Sequence, residues 1–521
     1  MKPRLAHLVL AAAIGIAAPA TAQTTIRAVL QAGISGLDPI WTTANVVADH
    51  GAMVYDTLFG IDEAGVPQPQ MVDTYTLSAD KLTWRFHLRP GLKFSDGTPV
   101  TAKDCVQSLK RWAARDSAGQ LLMGKTQSLT AIDADTFELK LAIPYGLVLE
   151  TLGKNSTQIP FMMREKEALT DPNQQITETV GSGPFLFLRD QWNPGNRAVY
   201  VKNPAYIPRT EPPSGLAGGK VAKVDRVELL AIPDAVTAHQ ALIKGEVDFI
   251  EIVNLDLAPM LKIPEIKTEV FDKGGNRGVL RLNHTLPPFD HPKAREAMLW
   301  LIDQEAYMNA AIGDPEYWSV CGAIFSCGSP MESKAGVEWV KGHSVAKARA
   351  LFKEAGYDGR PVVILDPTDY NWFHQMAAVT ASLLKEAGVN ARLEAMDWAT
   401  VFTRRASKAA ADKGGWNIFH TGYGGVNALG PIGFSHMPGT CEKAWFGWPC
   451  DAKIEELRQA WADAAPGAAR QKAMDALQIR NFEVGIVLPT GQWVTPSAYR
   501  SNLSGWVKVP NTAVFWGVEK K

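Results

Sequence analysis

Aromatic and polar side chains beside turns are the residues of this sequence best suited to contact a small molecule. We expect a binding site lined by Trp41, Trp372, Tyr423, Trp493, Asp369 and Asn427. Flat rings pack against sugars and aromatic solutes and attract organic cations. Tyr423 is the strongest candidate, because the glycines around it would let a ligand approach the backbone. For each ring the alternative is a packed position in the core.

The motifs that would indicate an enzyme are weak. Gly342-His343-Ser344-Val345-Ala346 approaches the nucleophile elbow of hydrolases, but no buried strand precedes it and Ser344 is better explained as a helix cap. Gly422-Tyr423-Gly424-Gly425 lacks the third glycine of a dinucleotide-binding loop. We therefore expect neither an enzyme nor a cofactor, with a secreted α/β hydrolase as the alternative.

The cysteines indicate the compartment. Cys321 with Cys327 and Cys441 with Cys450 each bracket a short loop, and Cys105 remains as a thiol in a helical segment. Two local disulfides fit an oxidising environment, where they would shape surface loops in the carboxyl-terminal half of the chain. A metal site is the alternative reading, but neither pair has zinc-knuckle spacing.

Histidines offer no better metal site, because His50, His374 and His420 are scattered without ligand spacing.

The amino terminus supports export: Lys2 and Arg4 precede an apolar run, and Ala20-Thr21-Ala22 is a cleavage pattern. The run is too short to cross a bilayer, and no cysteine follows the predicted cut. We expect a mature, periplasmic chain from about Gln23, without a lipid anchor or membrane insertion.

Composition limits the partners and the architecture. Lys plus Arg total 53 against 54 for Asp plus Glu, so the protein has no positive net charge that would attract nucleic acid. A mature chain of about 500 residues exceeds the size of a single core, so two or three domains are expected.

Strands and helices alternate along the chain. Residues 26–30, 83–88 and 137–141 have the pattern of half-buried strands. Between residues 345 and 396 a unit of helix, glycine stop and strand occurs twice, with Lys-Glu-Ala-Gly at each helix end. This repetition predicts a doubly wound α/β lobe, and such sheets bind ligands where their parallel strands end.

Two glycine-containing segments, Gly274-Gly275 and Pro489-Thr490-Gly491, are candidates for the chain crossing between lobes. Two crossings would form a hinge, and a cleft between hinged lobes can close around a solute.

The longest motif is Trp84-Arg85-Phe86-His87-Leu88-Arg89-Pro90-Gly91-Leu92-Lys93-Phe94-Ser95-Asp96-Gly97-Thr98-Pro99-Val100, and Thr101-Ala102-Lys103-Asp104 follows it. It closely resembles the signature of the family 5 extracellular solute-binding proteins, which serve ABC importers of peptides, opines and nickel. Further family motifs occur in order along the chain on both sides of it, namely Leu37-Asp38-Pro39, Tyr55-Asp56-Thr57-Leu58-Phe59, Gly181-Ser182-Gly183-Pro184-Phe185, Asn203-Pro204-Ala205-Tyr206, Gly245-Glu246-Val247-Asp248-Phe249 and Pro287-Pro288-Phe289-Asp290.

The resemblance implies an α/β, two-lobed periplasmic-binding-protein fold of type II, cluster C-like, with an ancillary domain and a hinge between the lobes. The expected partners are a small-molecule ligand and the ABC permease subunits of the inner membrane, with the binding protein itself a monomer. We expect a signal peptide at 1–22, lobe I at 23–58, 180–270 and 491–521, an ancillary domain at 59–179, and lobe II at 271–490.

In peptide-binding relatives, an Asp of the second lobe holds the ligand ammonium and an Arg can hold its carboxylate. Here the acidic position falls near Val426 and the Arg position near Pro367. The usual anchors of a peptide are therefore missing, although Asp369 could approach a cation. Peptide transport is the family default, while an opine, a sugar, an aromatic solute or a cation is the alternative. A receptor or chaperone-like module without a transporter remains a third reading.

Overall fold

The computed structural model describes residues 23–156, 158–368, 370–425 and 430–521, so the predicted signal peptide lies outside the described residues. The strands are β1 (Thr25–Val29), β2 (Phe59–Ile61), β3 (Pro67–Pro69), β4 (Val72–Leu77), β5 (Thr83–Leu88), β6 (Thr126–Ala131), β7 (Thr136–Leu141), β8 (Phe185–Phe187), β9 (Arg197–Lys202), β10 (Arg226–Leu230), β11 (Phe249–Ile250), β12 (Ile266–Glu269), β13 (Asn276–Leu282), β14 (Trp318–Ser319), β15 (Val362–Pro367), β16 (Ala391–Met396), β17 (Ile418–Gly424), β18 (Leu488–Trp493), β19 (Ser497–Arg500), β20 (Leu503–Ser504) and β21 (Glu519–Lys520).

The α-helices follow the same chain order. They are α1 (Asn45–Val54), α2 (Ala102–Ala113), α3 (Ser117–Gly124), α4 (Val148–Leu152), α5 (Glu165–Ala168), α6 (Ala235–Lys244), α7 (Pro292–Leu301), α8 (Gln304–Ala311), α9 (Glu338–Lys341), α10 (Val345–Glu354), α11 (Asn371–Glu386), α12 (Trp398–Arg404), α13 (Gly430–Gly433), α14 (Ala452–Asp463) and α15 (Ala468–Val484).

The first sheet has the strand order β12, β19, β11, β1, β10, β9, β8. Its centre is parallel, because β1 pairs in parallel with both β10 and β11, and Val29 lies opposite Ile250. Helix α1 packs against this sheet, where Nδ1 of His50 lies 2.8 Å from the hydroxyl of Tyr200. The strands come from segments far apart in sequence, so this sheet forms only when the chain returns to it repeatedly.

The second sheet has the order β14, β18, β13, β17, β15, β16, and β15 is parallel to β16 and β17. The predicted repeat of helix, glycine and strand is confirmed. Ser344 caps α10 by accepting a hydrogen bond from the N–H of Lys347 at 3.2 Å. Gly356 and Gly388 follow the two helices with φ values of 71° and 83°, a conformation that a side chain disfavours.

A third, smaller sheet has the order β4, β5, β7, β6 and is covered by α2. Trp84, Phe86 and Leu88 are buried on one side of β5, as their alternation predicts. The carboxylate of Asp104 accepts hydrogen bonds from the backbone N–H and the hydroxyl of Thr101, both at 2.7 Å, which fixes the start of α2. The long motif of the sequence therefore supplies the strand β5 of this sheet and the start of the helix that covers it.

Both predicted cysteine pairs, Cys321 with Cys327 and Cys441 with Cys450, form disulfides, and Cys105 is a buried thiol. No helix within the described ranges is long and apolar enough to cross a membrane. The described residues also contain no group of three or more His, Cys, Asp or Glu side chains placed to hold a metal ion.

Candidate functional site

Two crossings of the chain join the two large sheets at one place. The first runs from Glu269 at the end of β12 to Asn276 at the start of β13, and it contains the predicted Gly274-Gly275. The second lies between Trp493 at the end of β18 and Ser497 at the start of β19. It follows the predicted crossing at Pro489-Thr490-Gly491 by a few residues, because β18 continues through Trp493. The exact domain boundaries stay a prediction.

The crossings bring together one edge of each sheet, which we call the facing edges. In the first sheet this is the edge where β1, β10 and β11 end. In the second sheet it is the edge where β15, β16, β17 and β18 end. Parallel strands typically bind ligands at the edge where they end, so the junction of the facing edges is the candidate binding site.

The crossing segments are tied to each other and to the sheets. Gly275 has φ 53° and lies directly against the carbonyl of Trp493, where a side chain would collide. Oδ1 of Asp272 accepts a hydrogen bond from the N–H of Gly275 at 3.1 Å, and burial raises the pKa of Asp272 to about 6. Since only these short segments connect the sheets here, rotation of one sheet against the other would be concentrated in them.

The second facing edge carries a group of rings that we call the aromatic wall: Tyr370, Trp372, Phe373, Trp398 and Trp493. The rings of Trp372 and Trp493 meet edge to face with centroids 5.2 Å apart. Tyr370 stacks on Phe373 at 4.7 Å and lies 5.4 Å from Trp398. Phe373 and Trp493 are buried, whereas the other rings are partly exposed and can be reached by a solute.

Local sequence explains the position of this wall. Residues 370–373 begin α11 directly after β15 ends, so their rings stand at the facing edge. Gly422 on β17 lies next to this group, and a Cβ atom there would contact the rings of both Phe373 and Trp493 at 3.4 Å. Trp372 and Trp493, two of the residues expected from the sequence, are therefore brought together.

Tyr423 does not lie beside Trp372 and Trp493. It lies opposite Arg277, whereas Trp493 lies opposite Asn276, so the two side chains point to opposite faces of the sheet. The Tyr423 hydroxyl donates a hydrogen bond to the carbonyl of Ile324, and its ring packs 4.5 Å from that of Phe434. Burial raises the pKa of Tyr423 to about 12. Its neighbour Gly422 lies on the opposite face, beside the rings of Phe373 and Trp493 in the aromatic wall.

Trp41 lies in the loop after β1. Its Nε1 donates a hydrogen bond to the carbonyl of Asn173 at 3.3 Å, and its own carbonyl accepts one from Arg115 at 3.0 Å. Both contacts tie it to the segment predicted as the ancillary domain. Asp369 and Asn427 lie outside the described residues, as does Val426.

Sequence reasoning missed several residues at the junction. Tyr370, Phe373 and Trp398 complete the aromatic wall, and the cluster around Trp372 in the sequence was the available signal. On the first facing edge, Glu251 directly follows β11 and accepts a hydrogen bond from the N–H of Gln31 at 2.8 Å. Glu251 lies two residues beyond the motif that ends at Phe249, so its place at a strand end could have been inferred.

Two surface cavities lie near the opposite edge of the second sheet. One of about 310 Å³ is lined by residues that include Pro288, His291 and Tyr357. The other, of about 550 Å³, is lined by residues that include His284 and Trp448 together with the disulfide of Cys441 and Cys450. Neither touches the crossings or the aromatic wall.

Comparison with known proteins gives matches over nearly the whole chain. A family model described as bacterial extracellular solute-binding proteins, family 5 Middle, matches residues 66–444. A probable peptide ABC transporter periplasmic-binding protein of Sinorhizobium fredii is 38% identical, with 96% of this chain and 94% of that protein covered. The glutathione-binding protein GsiB of Salmonella typhimurium is 24% identical, with 98% and 96% covered. The structure of AgaA from A. tumefaciens R10 in complex with agropinic acid superposes with a TM-score of 0.75 at 22% identity, covering 95% of this chain and 99% of that one.

Proposed function

The chain belongs to the family 5 bacterial extracellular solute-binding proteins, and on this premise we propose that it captures a small solute at the junction of its facing edges. Proteins of this family are periplasmic binding components of ABC importers, and the two-lobed fold of this chain is theirs. Residues 1–22 would be removed on export. The family consists of transport components, and Ser344, the residue behind the hydrolase alternative, acts as a helix cap.

The observation that carries the proposal is the pair of short crossings between the facing edges. A solute that contacts both edges binds the closed form better than the open form, so it shifts the protein towards closure by that difference in affinity. The closed form then docks, as a monomer, on the permease subunits, and ATP is hydrolysed elsewhere in the importer.

We propose a solute with an aromatic or apolar portion and not an ordinary peptide. The aromatic wall supplies a broad flat surface, to which rings, sugar faces and organic cations all bind. The positions at which peptide-binding relatives carry their Asp and Arg fall here near Val426 and Pro367. Opines, sugars, aromatic solutes and organic cations are therefore the classes to test first.

A thermal-shift screen over peptides, opines, sugars, aromatic acids and amines tests the function, because a ligand of the native state raises the melting temperature by mass action. Small-angle X-ray scattering of each hit then reports closure. No stabilising solute, or stabilisation without a smaller radius of gyration, would count against the proposed mechanism.

The variant Trp372→Ala tests the location of the site. Removing a partly exposed ring of the aromatic wall should weaken binding of a hit by about tenfold. Trp300→Ala is the matched control, because Trp300 is also partly buried but lies on α7 against Lys347, whose Nζ is 3.2 Å from the ring centroid. Equal effects of the two variants in isothermal titration calorimetry would place the site elsewhere.

A further inference from the structure

Asp366 and His374 form a hydrogen-bonded pair at the facing edge of the second sheet. Asp366 lies near the end of β15, opposite Ala395 of β16. His374 lies near the start of α11, and its Nδ1 is 2.6 Å from Oδ1 of Asp366. The Asp366 side chain is buried, with 5% of its surface exposed, whereas 36% of the His374 side chain is exposed. One end of the pair is therefore fixed inside the protein, and the other end reaches its surface.

This pair differs from a buried ion pair that only supports the fold. Asp38 contacts Arg111 at 2.6 Å, and both side chains are buried, so neither can contact a solute. In His374, by contrast, the second ring nitrogen, Nε2, forms no hydrogen bond with any group in the described part of the chain. An ionised carboxylate can only accept hydrogen bonds, so the contact with Asp366 places a hydrogen on Nδ1. Nε2 of the neutral imidazole then carries a lone pair and is a hydrogen-bond acceptor.

The exposed imidazole lies beside the aromatic wall. The N–H of His374 donates a hydrogen bond to the carbonyl of Tyr370 at 3.1 Å, which is the bond of a helical turn. Residues four apart in such a turn lie on the same side of the helix, with their Cβ atoms about 5–6 Å apart. Tyr370 is itself 36% exposed, and its ring stacks on that of Phe373. A solute that rests on Tyr370 is therefore close enough to reach His374.

We propose that His374, held by Asp366, binds a hydroxyl or amino group of the solute through Nε2, while the aromatic wall packs against the apolar part of the same solute. This inference rests on the proposed function and specifies the solute, which carries a hydrogen-bond donor next to an apolar portion. Asp366 is a positioning residue, because its bond to Nδ1 fixes the orientation of the ring and keeps the lone pair on Nε2.

Two pairs of probes that share a phenyl ring test for the donor. 2-Phenylethanol is compared with its methyl ether, and phenethylamine with phenethyltrimethylammonium, which keeps the positive charge but has no N–H. Quenching of tryptophan fluorescence in the purified mature protein measures each affinity. At least one donor should bind about three- to tenfold more tightly than its methylated partner, the usual net effect of a hydrogen bond. The pair that shows this preference distinguishes a hydroxyl from an amine. Equal affinities in both pairs, or no binding of either donor at millimolar concentration, would overturn the inference.

Variants then assign the preference to Nε2. His374→Asn removes Nε2 but keeps a side-chain N–H for Asp366, so it should abolish the preference with little change in the melting temperature. His87→Asn is the matched control, because Nδ1 of His87 is also hydrogen-bonded, at 3.2 Å from the hydroxyl of Thr136, but this residue lies on β5 in the third sheet. A preference that survives in His374→Asn would show that Nε2 is not the acceptor, and the inference would then be wrong.

Nitrogen NMR of the imidazole rings tests the role of Asp366. The His374 signals, identified by their loss in His374→Asn, should report a hydrogen on Nδ1 at alkaline pH and should shift when a donor binds. Asp366→Asn should lower the fraction of this tautomer and reduce the preference for the donor, whereas a purely structural role of Asp366 would leave the tautomer unchanged. If solutes from the wider screen bind without moving the His374 signals, the inference fails and the proposed function stands. If no solute binds at all, the proposed function itself fails.

Discussion

At its facing edge, the second sheet carries different side chains on its two faces, although both faces are formed by alternate residues of the same strands. One face carries Trp493 and Gly422 beneath the partly exposed rings of α11. The opposite face carries Tyr423, Arg277 and Gln492, whose polar atoms are bonded to a disulfide-closed loop. The first face is available to a solute, and the second is a support.

The support is a network of hydrogen bonds to backbone atoms of residues 321–327. The Arg277 guanidinium donates to the carbonyl of Cys321 at 2.9 Å and to that of Ala323. Oε1 of Gln492 accepts from the N–H of Cys327 at 2.9 Å. Such a network holds the loop in position against the sheet. Neighbouring residues of one strand, such as Gln492 and Trp493, therefore belong to the supporting face and to the proposed binding face, respectively.

Trp493→Ala should have the largest effect, and it should lower both the stability of the protein and its affinity for the solute. The ring is buried against Trp372 and Gly422, so its loss leaves a cavity and should lower the free energy of unfolding by about 3–5 kcal/mol. Solute binding should weaken as well, because Trp372 loses its neighbour. Denaturant titration and calorimetry measure the two changes. A variant with lower stability but unchanged affinity would separate Trp493 from the binding face.

Removal of the first disulfide, by the double variant Cys321→Ala and Cys327→Ala, tests the supporting face. A loop this short gives a predicted loss of about 2 kcal/mol in the free energy of unfolding. Solute affinity should change little, because Arg277 and Gln492 still hold the loop. The comparison variant lacks the second disulfide, Cys441 with Cys450, which lies beside the distant 550 Å³ cavity. A large loss of affinity in the first variant alone would show that the loop contacts the solute.

Much of the fold could be predicted from local patterns. The two units of helix, glycine and strand between residues 345 and 396 form as expected, because capping by Ser344 and the positive φ of Gly356 and Gly388 are local properties. Both disulfides also follow from spacing and compartment.

The site could be predicted only in part. Alternation along β17 shows that Tyr423 and Gly422 face opposite ways, but the face that α11 covers is decided by packing of distant segments. Likewise, Gln31 and Glu251 come together only because β1 and β11 are neighbours in the first sheet. Contacts between segments so far apart in the chain produce no local sequence pattern that could predict them.

Tyr423→Phe should have the smallest effect and separates the two faces most cleanly. It removes the hydroxyl that donates to the carbonyl of Ile324 and keeps the ring on Phe434, so the free energy of unfolding should fall by about 1 kcal/mol. Affinity for a solute that depends on Trp372 should not change, since the lost hydroxyl points away from the aromatic wall. Calorimetry of Tyr423→Phe beside Trp372→Ala measures the contrast. Equal losses of affinity would mean that the solute contacts both faces, and the separation of support from binding would then be wrong.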